Sequence, residues 1–263
     1  MVDLLPETNK SLGQHWLSDE LKLNSIIADA ELAPTDTVIE IGPGPGSLTD
    51  KIILRVNKLI AIEFDNKLAT SLKRKHTLNS KVSVVTEDIL KFNFASVVGS
   101  YKIVANIPYY LTSNLIRILS EINNPPMRAT LLVQQEVAER INAPAGDMSK
   151  LSVFTQNIFE TELGTKVEAS YFEPPPKVDS QVIILKLRAK PLVGRAVFPI
   201  FKQVVKAGFS EKRKKLRSSL SGGLHLTKAE VDKLLEKANI KNDARAQELN
   251  ISDWVKIATN YKK

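Results

Sequence analysis

Thr37-Val38-Ile39-Glu40-Ile41-Gly42-Pro43-Gly44-Pro45-Gly46 is a short β-rich run that stops at a glycine-rich turn. Beyond it, residues 48–56 carry apolar side chains at helical spacing, so the stretch reads as strand, loop and helix. Glycines have no Cβ, which lets backbone approach a ligand closely and take up unusual torsions, and a nucleotide-type ligand is implied. The spacing is G-x-G-x-G rather than the G-x-G-x-x-G that cradles a pyrophosphate, and no G-K-[ST] follows to hold a triphosphate. Both facts weaken a dinucleotide or P-loop reading. Taken alone, such a loop serves equally well as a tight turn from strand to helix.

Working outward, the same unit recurs. An apolar run at 58–62 ends on Glu63 and is followed by a polar helix at 67–75; a run at 82–85 ends on Glu87 and Asp88; a run at 101–105 ends on Asn106. A helix at 113–122, a strand at 129–133 and a helix at 135–141 follow. This alternation predicts an α/β chain with a Rossmann-like, doubly wound parallel sheet, whose ligands sit at the carboxyl ends of the strands. Residues 151–159 and 166–170 read as late strands and 181–187 as one more. Between the last two, Phe172-Glu173-Pro174-Pro175-Pro176-Lys177-Val178-Asp179-Ser180 holds three prolines and predicts a stiff loop without regular structure. After Pro191, residues 197–207, 212–220, 228–237 and 251–258 read as helices. The expected organisation is therefore a ligand-binding domain at 1–190 and a small all-helical domain at 191–263.

Charge divides along the same line. The chain of 263 residues has a formal net charge of +8, with 37 Lys and Arg against 29 Asp and Glu. Residues 191–263 hold 16 of those basic residues and 7 of the acidic ones, leaving 21 and 22 for residues 1–190. An unbalanced positive end suits a polyanion partner, because each neutralised phosphate releases a counterion. A solvated basic helix face would give the same count. The absence of cysteine excludes disulfides, thiolate metal ligands and a nucleophilic thiol, and suits a reducing compartment. No stretch approaches the roughly 20 apolar residues of a membrane span, and the first ten residues do not resemble a leader. A cytoplasmic, membrane-free protein is expected, with no metal.

The strand ends carry the chemistry. Glu63 stands where a carboxylate accepts hydrogen bonds from both hydroxyls of a ribose, and Asp88 where one accepts from an adenine amine, with Ile89 as an apolar wall for the ring. Glycine loop, Glu63 and Asp88 on successive strand ends match the three parts of an adenosyl ligand. Asn106-Ile107-Pro108-Tyr109 follows the fourth strand. An exocyclic adenine amine is a poor nucleophile because its lone pair is delocalised into the ring. The Asn106 side-chain oxygen and the Ile107 carbonyl can accept its two hydrogens and draw the nitrogen toward tetrahedral geometry. Pro108 fixes the local φ, and Tyr109 offers an aromatic face to a base removed from its stack. A β-turn with a buried tyrosine is the plainer reading of the same four residues. The set points to methyl transfer from S-adenosylmethionine to an adenine amine, a reaction that needs no strong general base.

At these residues the chain resembles the ribosomal RNA adenine dimethyltransferases of the KsgA type, which modify two adjacent adenines near the 3′ end of small-subunit rRNA. Ser11-Leu12-Gly13-Gln14-His15-Trp16-Leu17 is similar to the family's opening S-L-G-Q-H/N-F-L, and the likeness extends through 40–49, Glu63, Asp88, 106–112, 134–141 and 172–180. Phe209-Ser210-Glu211-Lys212-Arg213-Lys214-Lys215-Leu216-Arg217 resembles the start of the family's basic C-terminal F-x-x-R-R-K-x-L motif. The resemblance implies His15, Leu17, Gly42, Glu63, Asp88 and Asn106 as cofactor contacts, with Gln14 closing over the cofactor; Gly44 of the glycine loop and Ile89 at the adenine ring join them from the reading of the residues themselves. It implies Tyr109 and Phe172 beside the target base, and small-subunit rRNA or an assembling 30S-type subunit as the partner of a monomeric enzyme. For the C-terminal domain we expect RNA docking through Lys206, Lys212, Arg213, Lys214, Lys215 and Arg217. Trp16, Tyr110 and Asn114 depart from the family's usual Phe, Asn and Pro, and the last two bear on how the target base is seated.

Two other readings share parts of this pattern. The erythromycin-resistance methyltransferases of large-subunit rRNA also carry Asn-Ile-Pro-Tyr, but their opening more often reads S-Q-N-F. A non-catalytic nucleic-acid-binding relative would keep the fold without turnover, and intact Glu63, Asp88, Asn106 and Tyr109 argue against it.

Overall fold

The computed structural model describes residue 6, residues 13–211 and residues 213–261. Ser11 and Leu12 of the opening motif, and Lys212 of the basic segment, lie outside the described residues. The chain forms two compact units, Met1–Glu139 with Glu160–Leu187, and Arg140–Phe159 with Arg188–Lys263.

In the first unit, β1 (Trp16–Leu17) and α1 (Glu20–Asp29) precede an alternation of strands and helices. It runs β2 (Thr37–Ile41), α2 (Ser47–Ile52), β3 (Lys58–Glu63), α3 (Asn66–Lys75), β4 (Val82–Thr86), β5 (Lys102–Asn106), α4 (Thr112–Glu121), β6 (Arg128–Gln134) and α5 (Gln135–Ile141). After α6 (Lys150–Ile158) come β7 (Phe159–Val167), β8 (Phe172–Glu173) and β9 (Ser180–Leu187). The seven-stranded sheet has the order β4-β3-β2-β5-β6-β9-β7. Its pairs from β4 to β6 are parallel and β6 pairs β9 antiparallel. Such strands are covered on both faces, which is why Val38, Ile39, Leu59, Ile103, Val104, Leu131 and Leu132 have essentially no exposed surface. Each such side chain contributes about 1.5–3 kcal/mol by leaving water.

The strand register sets the site. Ile41 pairs with Ile62 on one side and Ala105 on the other, so Gly42, Glu63 and Asn106 stand abreast one residue further on. Strand order reverses at β2, between β3 and β5, which is the switch point where open α/β sheets bind ligands.

Helix caps tie local sequence to these tips. Asp65 accepts from the backbone N–H of Lys67 and Leu68 and starts α3 two residues after Glu63. Gly46 caps α2 with φ +90°, a left-handed conformation that a side chain would strain.

The second unit holds α6, α7 (Phe198–Gly208), α8 (Leu216–Leu224), α9 (Lys228–Lys237) and α10 (Ile251–Asn260) around Phe201, Val204, Leu220, Leu235, Trp254 and Ile257. Gly208 permits a close crossing, since a Cβ there would lie 2.3 Å from the Trp254 ring.

Three local expectations are corrected. Residues 151–158 form a helix and not a strand, only Phe159 being extended at the start of β7: Ser149 and Ser152 make a reciprocal capping box, and Val153 and Phe154 pack into the helical unit. The strand expected at 166–170 lies earlier, at β7. Within the proline-rich loop, Phe172 and Glu173 pair antiparallel with Leu17 and Trp16. Extended backbone before a proline leaves their peptide groups free to form that short ladder.

Candidate active site

A cavity of about 330 Å³ opens over the tips of β2, β3 and β5, within the range of small-molecule sites. Gln14, His15, Leu17, Gly42, Glu63, Asp88, Ile89, Asn106, Ile107, Pro108, Tyr109 and Phe172 all line it. Gly44, at the centre of the glycine loop, is not among the lining residues, although its neighbours Pro43 and Pro45 are. Its backbone N–H donates to Glu63 Oε2 at 3.0 Å, while Glu63 Oε1 accepts from Asp65 N–H at 2.9 Å. Glu63 is thereby held with its carboxyl in place, and burial raises its pKa above the ordinary value against the pull of these N–H groups.

The glycines are needed for shape. Gly44 has φ +56°, and a Cβ there would lie 2.6 Å from the Trp16 ring, so β1 packs directly on the loop backbone. Gly42 has φ +63° and lies beside the Asn106 carbonyl and Pro108. Asp88 follows β4 and accepts from Leu90 N–H at 3.0 Å. Ile89 beside it is buried.

Around Asn106 the second half of the cavity is assembled from three distant segments. Asn106 Nδ2 donates to the His15 carbonyl at 3.4 Å. Ile107 N–H donates to the Leu132 carbonyl on β6 at 3.2 Å, and the Pro108 carbonyl accepts from Leu111 N–H at 2.9 Å. Tyr109 is half-buried; its hydroxyl lies 2.9 Å from Ser180 Oγ, and burial raises its pKa.

Sequence reasoning passed over Glu40, although it stands two residues before Gly42. Glu40 is 1% exposed and lines the cavity. Thr49 Oγ1 donates to its Oε2 at 2.6 Å, and its Oε1 has no partner among the described residues. Burial pushes its pKa up to about 8, with Asp50 and Glu63 adding to the rise and the Thr49 hydroxyl opposing it. Trp16 and Tyr110 also line the cavity.

In the helical unit, Lys206 on α7 is exposed, as are Arg213, Lys214 and Lys215 ahead of α8. Arg217 is engaged with both carboxylate oxygens of Asp232 on α9, and Lys214 pairs with Glu211 at 2.6 Å.

The cavity's chemistry fits an adenosyl ligand. A glycine- and proline-rich loop approaches from one side, two carboxylates face it from neighbouring strand ends, and a buried Glu40 oxygen without a partner among the described residues is free to accept from a ligand. Fold and site together define a Rossmann-like methyltransferase. The model of the family described as Ribosomal RNA adenine dimethylase matches residues 6–263, and the chain belongs to this family. It is accordingly an S-adenosylmethionine-dependent methyltransferase of ribosomal RNA adenine. A Dehalococcoides mccartyi protein named ribosomal RNA small subunit methyltransferase A is 37% identical over 255 residues, covering 96% of this chain and 88% of its own. One of the same name from Clostridioides difficile is 37% identical over 254 residues, covering 94% and 88%. Among solved structures, the 23S rRNA methyltransferase ErmE superposes with a TM-score of 0.74 at 29% identity, over 93% of this chain and 98% of that one. A dimethyladenosine transferase from Plasmodium falciparum gives 0.78 at 26% identity, over 92% and 96%.

Proposed function

We propose that this enzyme dimethylates the exocyclic amines of two adjacent adenines near the 3′ end of small-subunit rRNA, acting as a cytoplasmic monomer on the RNA or the assembling subunit. The observation that carries the reading is the row of Gly42, Glu63 and Asn106 abreast on three strand tips, all facing one cavity with Asp88 and Tyr109.

Bound S-adenosylmethionine supplies a methyl group made electrophilic by its sulfonium. Glu63 accepts from the ribose hydroxyls, and Asp88 from the adenine amine, with Ile89 against the ring. Gly42 and Gly44 bring main chain close to the ligand, and Gln14, His15 and Leu17 cover it. Asn106 Oδ1 and the Ile107 carbonyl accept the two hydrogens of the target amine and direct its lone pair across the cavity. Pro108 holds that carbonyl, while Tyr109 and Phe172 flank the extruded base; stacking of this kind is worth about 1–3 kcal/mol per base. The methylated amine then loses its extra proton to water.

The helical unit docks the RNA backbone through Lys206, Arg213, Lys214 and Lys215, together with Lys212 and Arg217. Large-subunit rRNA is the second reading, supported by the likeness to ErmE. The names of the relatives at 37% identity support the small subunit. Incubation with labelled S-adenosylmethionine and undermethylated small or large subunits, followed by mapping of the modified nucleotides, decides between them. Label confined to adjacent adenines of the small subunit is expected; label only in large-subunit rRNA would overturn the proposal.

A further inference from the structure

Tyr109 is held from two directions by residues to which the chemistry above gives no part on the base side. Ser180 is the first residue of β9, has no exposed surface and stands opposite Gln134 across the sheet. Its Oγ lies 2.9 Å from the Tyr109 hydroxyl. On one face, the Tyr109 ring stacks with His15, with centroids 5.9 Å apart and planes 24° apart.

His15 is itself fixed at two more points. Its Nδ1 lies 2.7 Å from the Pro174 carbonyl; a carbonyl can only accept, so Nδ1 carries the hydrogen. The His15 backbone carbonyl accepts from Asn106 Nδ2. An amide that donates there through nitrogen turns its oxygen away from His15, leaving Oδ1 as the acceptor for another group. Three elements of the target side, Asn106, Tyr109 and the proline-rich loop, thus converge on one histidine.

We propose that His15 and Ser180 are positioning residues that clamp the Tyr109 ring, His15 by covering one face and Ser180 by anchoring the hydroxyl, so that a target adenine can stack on the opposite face alone. The inference rests on the reading that Tyr109 receives the target base. Its physical basis is that a ring fixed in plane and tilt fixes the position of a base stacked on it, and hence the distance from the amine to Asn106 Oδ1. Misplacement by about 1 Å costs on the order of a hundredfold in rate. The side chain of His15 acts in this account on the base side of the cavity, more than on the cofactor.

The test uses the full chain and the undermethylated subunit on which it is active, with kcat, KM and the calorimetric Kd for S-adenosylhomocysteine as readouts. Tyr109→Phe and Ser180→Ala remove the two ends of one hydrogen bond, and each is expected to lower kcat about tenfold. The double variant is expected to be no slower than the slower single, because both changes delete the same bond. His15→Leu lowers kcat, and His15→Phe, which restores an aromatic face, recovers part of the loss. In Tyr109→Phe and Ser180→Ala, Kd for S-adenosylhomocysteine stays within about twofold of the wild type, as expected for changes that leave the cofactor's binding groups in place. Losses that add in the double variant, a Kd that rises in Tyr109→Phe or Ser180→Ala in parallel with the fall in kcat, or an unchanged kcat would overturn the clamp. Tyr109→Ala separates the two layers: if it turns over at the wild-type rate, the stacking role of Tyr109 fails. Should it be inactive while Ser180→Ala and His15→Leu are not impaired, the clamp alone fails.

Discussion

Glu40 and Glu63 are buried carboxyls at strand tips of the sheet unit, whereas Lys206, Arg213 and Lys215 of the helical unit are exposed cations. The first pair is held by fixed hydrogen bonds from Thr49, Gly44 and Asp65, and burial moves both pKa values. The second set is surrounded by solvent. Buried polar groups held by fixed hydrogen bonds recognise by geometry and tolerate little change, while exposed charges act together through a field that salt screens. Substitutions in the two units should therefore differ in size and in kind.

The largest effect is expected at Asn106, where Asn106→Ala should lower methyl transfer by about a hundredfold or more while leaving the thermal unfolding midpoint little changed. A variant that kept a tenth of the wild-type rate would remove the amide from the chemistry. Next comes the cofactor side. Glu63→Ala should weaken S-adenosylhomocysteine binding about 10- to 100-fold, the range for deleting a hydrogen bond to a charged group. Gly44→Ala should weaken it too, because the added methyl meets Trp16 and the φ of +56° is strained. Calorimetry on both variants measures this directly.

Glu40 gives a prediction about pH. Its carboxyl titrates near the ordinary value when the chain is unfolded and near 8 when it is folded. Below the unfolded value both states hold the proton and stability is full. As pH rises from about 4.5 to about 8 the unfolded state has lost it and the folded state has not, so stability falls through that window. The cofactor-free protein should lose thermal stability from about pH 5 to about pH 8, and Glu40→Gln should lose less, as differential scanning calorimetry can record. The smallest effects per residue are expected in the helical unit. Arg213→Glu with Lys215→Glu should weaken RNA binding and flatten its salt dependence, the slope falling by about one for each phosphate that is no longer neutralised. Arg217→Ala should reduce RNA affinity less and thermal stability more, since its guanidinium is already bound to Asp232.

How far the sequence was readable follows the same contrast. Strand tips in a parallel sheet are legible because mostly apolar runs end abruptly at glycine or a polar residue, and Gly42, Glu63, Asn106 and, two residues past β4, Asp88 stand at such ends. Features that depend on distant partners were not legible. Glu40 reads as an ordinary strand residue until Thr49 and the cavity wall come against it. The pairing of Trp16 and Leu17 with Phe172 and Glu173 joins opposite ends of the sheet unit's sequence. Residues 151–159 carry Val153, Phe154 and Thr155, whose β propensity was overruled by the Ser149–Ser152 cap and by packing in the helical unit. In the basic segment, the count of charges gave the sign of the surface but not that Arg217 is committed to Asp232 one helix later.

The central claim is that the strand-tip cavity holds the adenosyl group between Glu63 and Asp88, with its reactive end toward Asn106. A crystal structure with S-adenosylhomocysteine bound tests it most directly. The account predicts both ribose hydroxyls within hydrogen-bond distance of Glu63, the adenine amine on Asp88, and the sulfur on the side of the cavity that Asn106 and Tyr109 line. Electron density for the ligand at any other place, or in this cavity with neither carboxylate touching it, would contradict it.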